Sequence, residues 1–186
     1  MKDWRTLCIV SFSAALLGHH WLEGSMLRHM LVQLPLLVLS GVLYAVGVGG
    51  QFRAVGRWYA NIDQYGVTGL TAGLLVSAYW MIPRMLEKSL TDPLTEAAKF
   101  VSLVMLGMAL PASLRRASWI TQLFYLGNFS WMTAIVGIQY QTLPQRLCNA
   151  YVLDDQVDTG MAIVGAAVLV AVLWCWRLAP AILRRE

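Results

Sequence analysis

His29 to Phe52 reads HMLVQLPLLVLSGVLYAVGVGGQF, 24 residues without an acidic residue, a lysine or an arginine. A helix that crosses the hydrocarbon core of a bilayer needs about 20 predominantly apolar residues, so this run decides the class of the protein. Pro35 lies inside it, which is tolerated in an intramembrane helix when neighbouring groups satisfy the freed carbonyl. Runs of the same kind lie on either side. LCIVSFSAALLGHHWL falls between Arg5 and Glu23, Gln64 to Pro83 supplies 20 residues, and Phe100 to Leu114 extends back past Lys99 if that side chain snorkels. Ala117 to Gln145 is uncharged for 29 residues, and Thr159 to Trp176 gives the last run. The first run also resembles the apolar stretch of a secretory signal, but no A-x-A cleavage pattern follows it, and a retained helix is expected. The reading is an all-α, polytopic transmembrane bundle of six spans, one domain over residues 1–186.

Composition agrees with that class. The chain is 58% hydrophobic and 13% charged, against about 25% charged in soluble domains. A water-facing surface could not be covered with so few charges, which excludes an ordinary soluble enzyme. The net charge of +4 does not point to nucleic acid, because the basic residues sit between apolar runs, where they set topology. In a six-span arrangement Lys2, Arg5, Arg53, Arg57, Arg115, Arg116, Arg177, Arg184 and Arg185 share one side. The other side carries Arg28, Arg84, Lys88, Lys99 and Arg146 with seven of the ten acidic residues. Both termini are therefore expected in the cytoplasm. Trp4, Trp21, Trp58, Trp80, Trp119 and Trp176 fall near span ends, where an amphipathic ring prefers the interface. Cys8, Cys148 and Cys175 are widely spaced and imply no disulfide framework or zinc motif.

On the extracytoplasmic side His19 and His20 close the first span and His29 opens the second, flanked by Met26 and Met30. Residues 26 and 30 share a helix face with residue 29 within reach, so thioethers and imidazole form a soft donor set suited to Cu(I). The same residues also serve as ordinary packing methionines and interfacial histidines, and both readings stand at this level. Asp154 to Asp158, DDQVD, precedes the last span. There Asp155 or Asp158 is either a helix cap or a group that reaches over the bundle mouth to His29 or to a docking partner. Glu96 and Lys99, three apart, read as a local ion pair. No nucleophile–base motif, phosphate loop or haem-attachment motif is present, and three histidines at one rim do not supply facing axial ligands, so neither catalysis nor haem is expected.

SMLRHMLVQLPLLVLSG, Ser25 to Gly41, resembles the H-M-x-x-H-M-L…P-x-L-x-x-G signature of the CtaG family of cytochrome oxidase assembly factors. YWMIPRMLEKSL and YVLDDQVDTGMAIVG resemble two further segments of that family in the same order. The resemblance covers most of the chain from Ser25 onward and retains His29, Met30, Pro35, Gly41, Trp80, Pro83, Asp155, Gln156, Gly160 and Met161. The chain departs from the pattern where Ser25 and Met81 stand for histidines, and where Pro93 and Ala97 fall near an expected histidine pair. The resemblance implies a bacterial inner-membrane accessory protein, not an enzyme, that assists assembly of, or Cu(I) delivery to, a copper-dependent respiratory complex. Its partners would be subunits of that complex and membrane lipid. The implied Cu(I) ligands are His29 with Met26, Met30, His20 and Met81, and Asp155 and Gln156 would orient ligands or dock a partner. A permanent, non-catalytic subunit of such a complex is the alternative. The small residues Gly160, Gly165, Ala166 and Ala167 of the last span are expected to form a close-packing, partner-facing stripe.

Overall fold

The computed structural model describes residues 2–48, 59 and 61–183, and every regular element among them is helical. Phe52, Arg53, Arg57, Trp58, Arg184 and Arg185, which entered the span and charge assignments, lie outside the described residues. In chain order the elements are α1 (Lys2–Leu17), α2 (His19–Leu22), α3 (Met26–Arg28), a π-helical turn (His29–Gln33), α4 (Leu34–Val48), α5 (Val67–Trp80), α6 (Pro83–Thr91), α7 (Pro93–Arg116), α8 (Trp119–Thr142) and α9 (Leu153–Leu183).

Three helical stretches are long and apolar enough to cross a membrane: Met26–Gly47, Pro93–Arg116 and Leu153–Ala179. Thr6–Leu17 and Val67–Trp80 are shorter apolar helices. Beside an apolar core, several polar side chains are buried while many large apolar ones face outward. His29, Gln33, Asp63 and Lys99 are almost wholly buried, whereas Trp131 and Trp176 are 69% and 76% exposed. Such a surface suits lipid, and buried ionisable groups in a chain of this kind mark places where the fold has a reason to hold them.

α7 packs against α4 and α5, α4 packs against α1, and α8 pairs with α9. Glycines set two close helix crossings. A Cβ on Gly41 would meet the Val104 carbonyl oxygen at 2.1 Å, and one on Gly107 would meet the Val38 carbonyl oxygen at 2.0 Å, so the α4 and α7 backbones approach to a distance that only glycine permits. Gly137 and Gly160 do the same for α8 and α9, where a Cβ on Gly137 would lie 2.7 Å from the Gly160 carbonyl oxygen. The small-residue stripe of α9 is therefore divided. Gly160 is consumed inside the bundle, Ala167 is buried, and Gly165 has open space around it.

Several boundaries differ from the sequence expectation for local reasons. α7 begins at Pro93 because Asp92 caps it, its carboxylate accepting from the Leu94 and Thr95 amides. Lys99 thus sits within the helix, and its side chain turns inward and is fully buried instead of snorkelling. α9 starts at Leu153, so Asp154 and Asp155 occupy its first turn rather than preceding the helix. α8 starts at the Ser118 cap, whose hydroxyl accepts from the Thr121 amide. α6 was hidden among the charges of residues 84–92, and it buries Leu86 and Ser89 on one face.

Candidate functional site

The turn that carries His29 is wide and lies just before Pro35. Pro35 has no N–H and its ring crowds the preceding turn, a strain taken up here as a π-helical turn, whereas α7 runs α-helical through Pro111. The chain runs π-helical from His29 to Gln33, with the Leu34 amide bonded to the His29 carbonyl five residues back. His29, Met30 and Gln33 are all buried as a result. The start of α3 is fixed from far away in sequence. Asp155 accepts from the Ser25 hydroxyl at 2.9 Å and from the Met26 amide at 2.6 Å. It therefore reaches across from α9 and caps the helix that leads to His29, instead of capping its own helix.

Lys99 closes the site from α7. Its Nζ donates to Glu23 Oε1 at 2.7 Å, to His29 Nε2 at 3.0 Å and to Gln33 Oε1 at 3.2 Å. An ammonium group has three N–H donors, and all are used. Gln33 Nε2 donates to the same Glu23 oxygen at 3.0 Å. The Tyr151 hydroxyl donates to the Glu23 carbonyl at 3.0 Å and accepts from His29 Nδ1–H at 2.9 Å. These partners assign His29 as neutral, with the proton on Nδ1 and Nε2 accepting. Burial alone would raise the Glu23 carboxyl, but the hydrogen bonds from Lys99 and Gln33 and the Lys99 charge outweigh it and hold the group below the usual range. Burial pushes the Tyr151 phenol above its ordinary range, so its hydroxyl stays protonated.

The expected ligands are dispersed over this rim. His29 has both ring nitrogens in hydrogen bonds, so a metal there must first displace Lys99 or Tyr151. Met26 is fully buried beneath the Asp155 cap. Met30 and Met81 line one apolar cavity, and Met81 Sδ lies 3.9 Å from the Thr133 hydroxyl, which donates to the Phe129 carbonyl at 2.7 Å. His20 is exposed and stacks on His19 with ring centroids 4.0 Å apart. Gln156 braces the chain after α8, accepting from the Leu147 amide at 2.8 Å and donating to the Tyr140 carbonyl at 3.1 Å. The expected Glu96–Lys99 pair gives way to Glu23–Lys99, and Glu96 instead faces His19 at 3.6 Å. Glu23, Gln33, Lys99 and Tyr151 were missed. The usable signal was an amide inside an apolar run together with opposite charges at the edges of two runs on the same side.

The cavity has a volume of about 520 Å³ and lies among α4, α5, α7, α8 and α9, with Met30, Leu34, Trp80, Met81, Leu103 and Ile163 in its wall. It begins one residue below His29. A second buried polar cluster joins α5 to the far end of α7. Asp63 accepts from the Ser113 hydroxyl at 2.7 Å and from the Gly69 amide at 3.0 Å, with Arg116 Nη1 3.7 Å away. No family model, curated protein or solved structure is detectably similar to this chain.

Proposed function

We propose that the chain is a non-catalytic accessory protein of the bacterial inner membrane. In this reading it spans the bilayer six times with both termini in the cytoplasm and assists assembly of, or Cu(I) delivery to, a copper-dependent respiratory complex, as its resemblance to CtaG-type proteins implies. One observation supports the reading most. The segments that carry the resemblance, around Ser25–Met30 and around Asp155, are bonded to each other through the Asp155 carboxylate although 129 residues separate it from Met26. Motif residues gathered at one rim are what a site facing a partner requires. Copper loading at His29 then needs Lys99 or Tyr151 to release one ring nitrogen, with Met30, the next residue in sequence, as the thioether.

A second reading, a permanent structural subunit of such a complex, draws on the hydrogen bonds that already occupy both nitrogens of His29. Purification in mild detergent separates the two. An assembly factor copurifies with immature oxidase components and is absent from the mature complex, whereas a subunit stays at a fixed ratio. Absence of any oxidase component in the purified material overturns both. Cu(I) content after loading and washing, compared between the native chain and His29→Ala, tests delivery separately, and equal copper in both removes it. A reporter at Glu186 accessible from outside intact cells overturns the six-span topology.

A further inference from the structure

We infer that His19, Glu23 and Glu96 form a binding site for a divalent first-row metal ion of the zinc type, separate from the Cu(I) reading and independent of it. His19 and Glu23 stand four apart where α2 ends, so they share a face. Glu96 comes from the first turn of α7. One donor atom from each residue lies within 4.8 Å of the other two. His19 Nδ1 is 3.5 Å from Glu23 Oε2 and 3.6 Å from Glu96 Oε1. It is shut off from solvent and makes no hydrogen bond.

Direct charge-assisted hydrogen bonds are shorter, about 2.7–2.9 Å. Ligands about 2.0–2.2 Å from a zinc ion at the tetrahedral angle stand about 3.3–3.6 Å apart. The two His19 separations match spacing around an ion better than spacing across a hydrogen bond. Glu23 is divided in a way that favours this use. Its Oε1 is held inward by Lys99 and Gln33, which leaves Oε2 turned toward His19. Lys99 thus orients a metal-ligating carboxylate from behind. The side chains of His19 and Glu96 are 31% and 33% exposed, so an ion has a way in and water completes its coordination.

The donor set also selects the ion. One imidazole nitrogen and two carboxylate oxygens suit Zn²⁺ and its divalent neighbours, whereas Cu(I) prefers thioether and thiolate sulfur. Two carboxylates against one ammonium leave a net negative site when His19 is neutral, which a divalent cation offsets. The bound ion ties the α2 end to α7 and fixes the outer oxygen of the same carboxylate that anchors the buried network.

The test is zinc titration of the chelator-stripped, detergent-purified chain against a chromogenic competitor. The native chain and Asp154→Asn, which removes an exposed carboxylate from the first turn of α9, are expected to bind an equimolar amount with the same affinity. His19→Ala and Glu96→Gln are expected to bind about 10-fold more weakly or worse. No zinc retained by the native chain, or undiminished affinity in both variants, overturns the site. Co²⁺ added to the native chain decides the matter where a variant fails to fold. Ligand-field bands of a low-coordinate nitrogen–oxygen site support the assignment, and the spectrum of the aquated ion overturns it.

Discussion

α7 carries a buried charge cluster near each end, and the two are built differently. Lys99 and Ser113 are 14 residues apart on this helix, or about 21 Å at 1.5 Å per residue. At the Lys99 end a full ammonium meets a full carboxylate at 2.7 Å, and an imidazole and an amide occupy its remaining donors. At the Ser113 end the Asp63 carboxylate is held by a hydroxyl and a backbone amide, while the nearest cation, Arg116, stands off at 3.7 Å. The first arrangement joins the α2 end, the π-helical turn, α7 and the chain before α9. The second joins α5 to α7. The difference teaches that one end depends on mutual charge neutralisation, and the other on neutral donors that solvate a carboxylate locally.

The largest expected effect follows directly. Removing one member of a buried ion pair leaves the other uncompensated, at a cost of about 3–5 kcal/mol. Lys99→Met and Glu23→Gln should each destabilise the protein by that order, and the double variant should cost clearly less than their sum. Unfolding in mixed micelles by titration with a denaturing detergent measures this. Additive losses would show that the pair is not coupled as the 2.7 Å contact requires.

Asp63→Asn is expected to cost less, about 1–3 kcal/mol, because the amide keeps one acceptor oxygen and misplaces one donor group. Arg116 is partly exposed and retains access to water without its partner. A loss as large as that of Lys99→Met would place the two clusters in the same class and remove the distinction between them.

Acid titration sharpens the same contrast. The Glu23 carboxyl is depressed in the folded chain, so its stabilising contribution is complete above the ordinary glutamate value of about 4.3. It is lost as pH falls below that value through the folded one. Stability should therefore decline on acidification below about pH 4.3, and the Glu23→Gln/Lys99→Met double variant should show a shallower decline. Thermal midpoints across the acid range report it, and identical slopes in the two proteins would remove Glu23 from the account.

How far these clusters were legible in the sequence depends on the distance over which each is assembled. The apolar runs marked where the helices lie, since length and lack of charge are local properties. The start of α7 was misplaced because Lys99 reads as a boundary in sequence, although Asp92–Pro93 supplies the actual cap. The Glu23–Lys99 pair spans 76 residues and the Asp155 cap spans 129, and no spacing rule joins positions so far apart. His29 was found, but its surroundings were not. The π-helical turn that buries it depends on how Pro35 is accommodated against neighbouring helices, which composition does not report. Asp63 passed unnoticed because one acidic residue beside a tyrosine and a glycine looks like an ordinary turn.

Tyr59→Phe should produce the smallest change and discriminates the two ends most finely. The Tyr59 hydroxyl is 2.8 Å from Ser113 Oγ, and Ser113 Oγ donates its own proton to Asp63, so Tyr59 is the donor in that contact. Its removal leaves the Ser113–Asp63 bond and the Gly69 amide in place, and the ring still lies 5.6 Å from the Arg116 guanidinium. One neutral hydrogen bond is lost with no charge stranded, a cost of about 0.5–1.5 kcal/mol. Tyr151→Phe is the matched change at the other end. It strips the acceptor from His29 Nδ1–H and the donor from the Glu23 carbonyl, leaving a buried imidazole N–H and a half-buried carbonyl without their partner, and should cost more. Equal losses for the two phenylalanine variants would mean that Tyr151 is as replaceable as Tyr59. The two hydrogen bonds of Tyr151 at the Lys99 end would then contribute no more than the single neutral bond of Tyr59 does at the other.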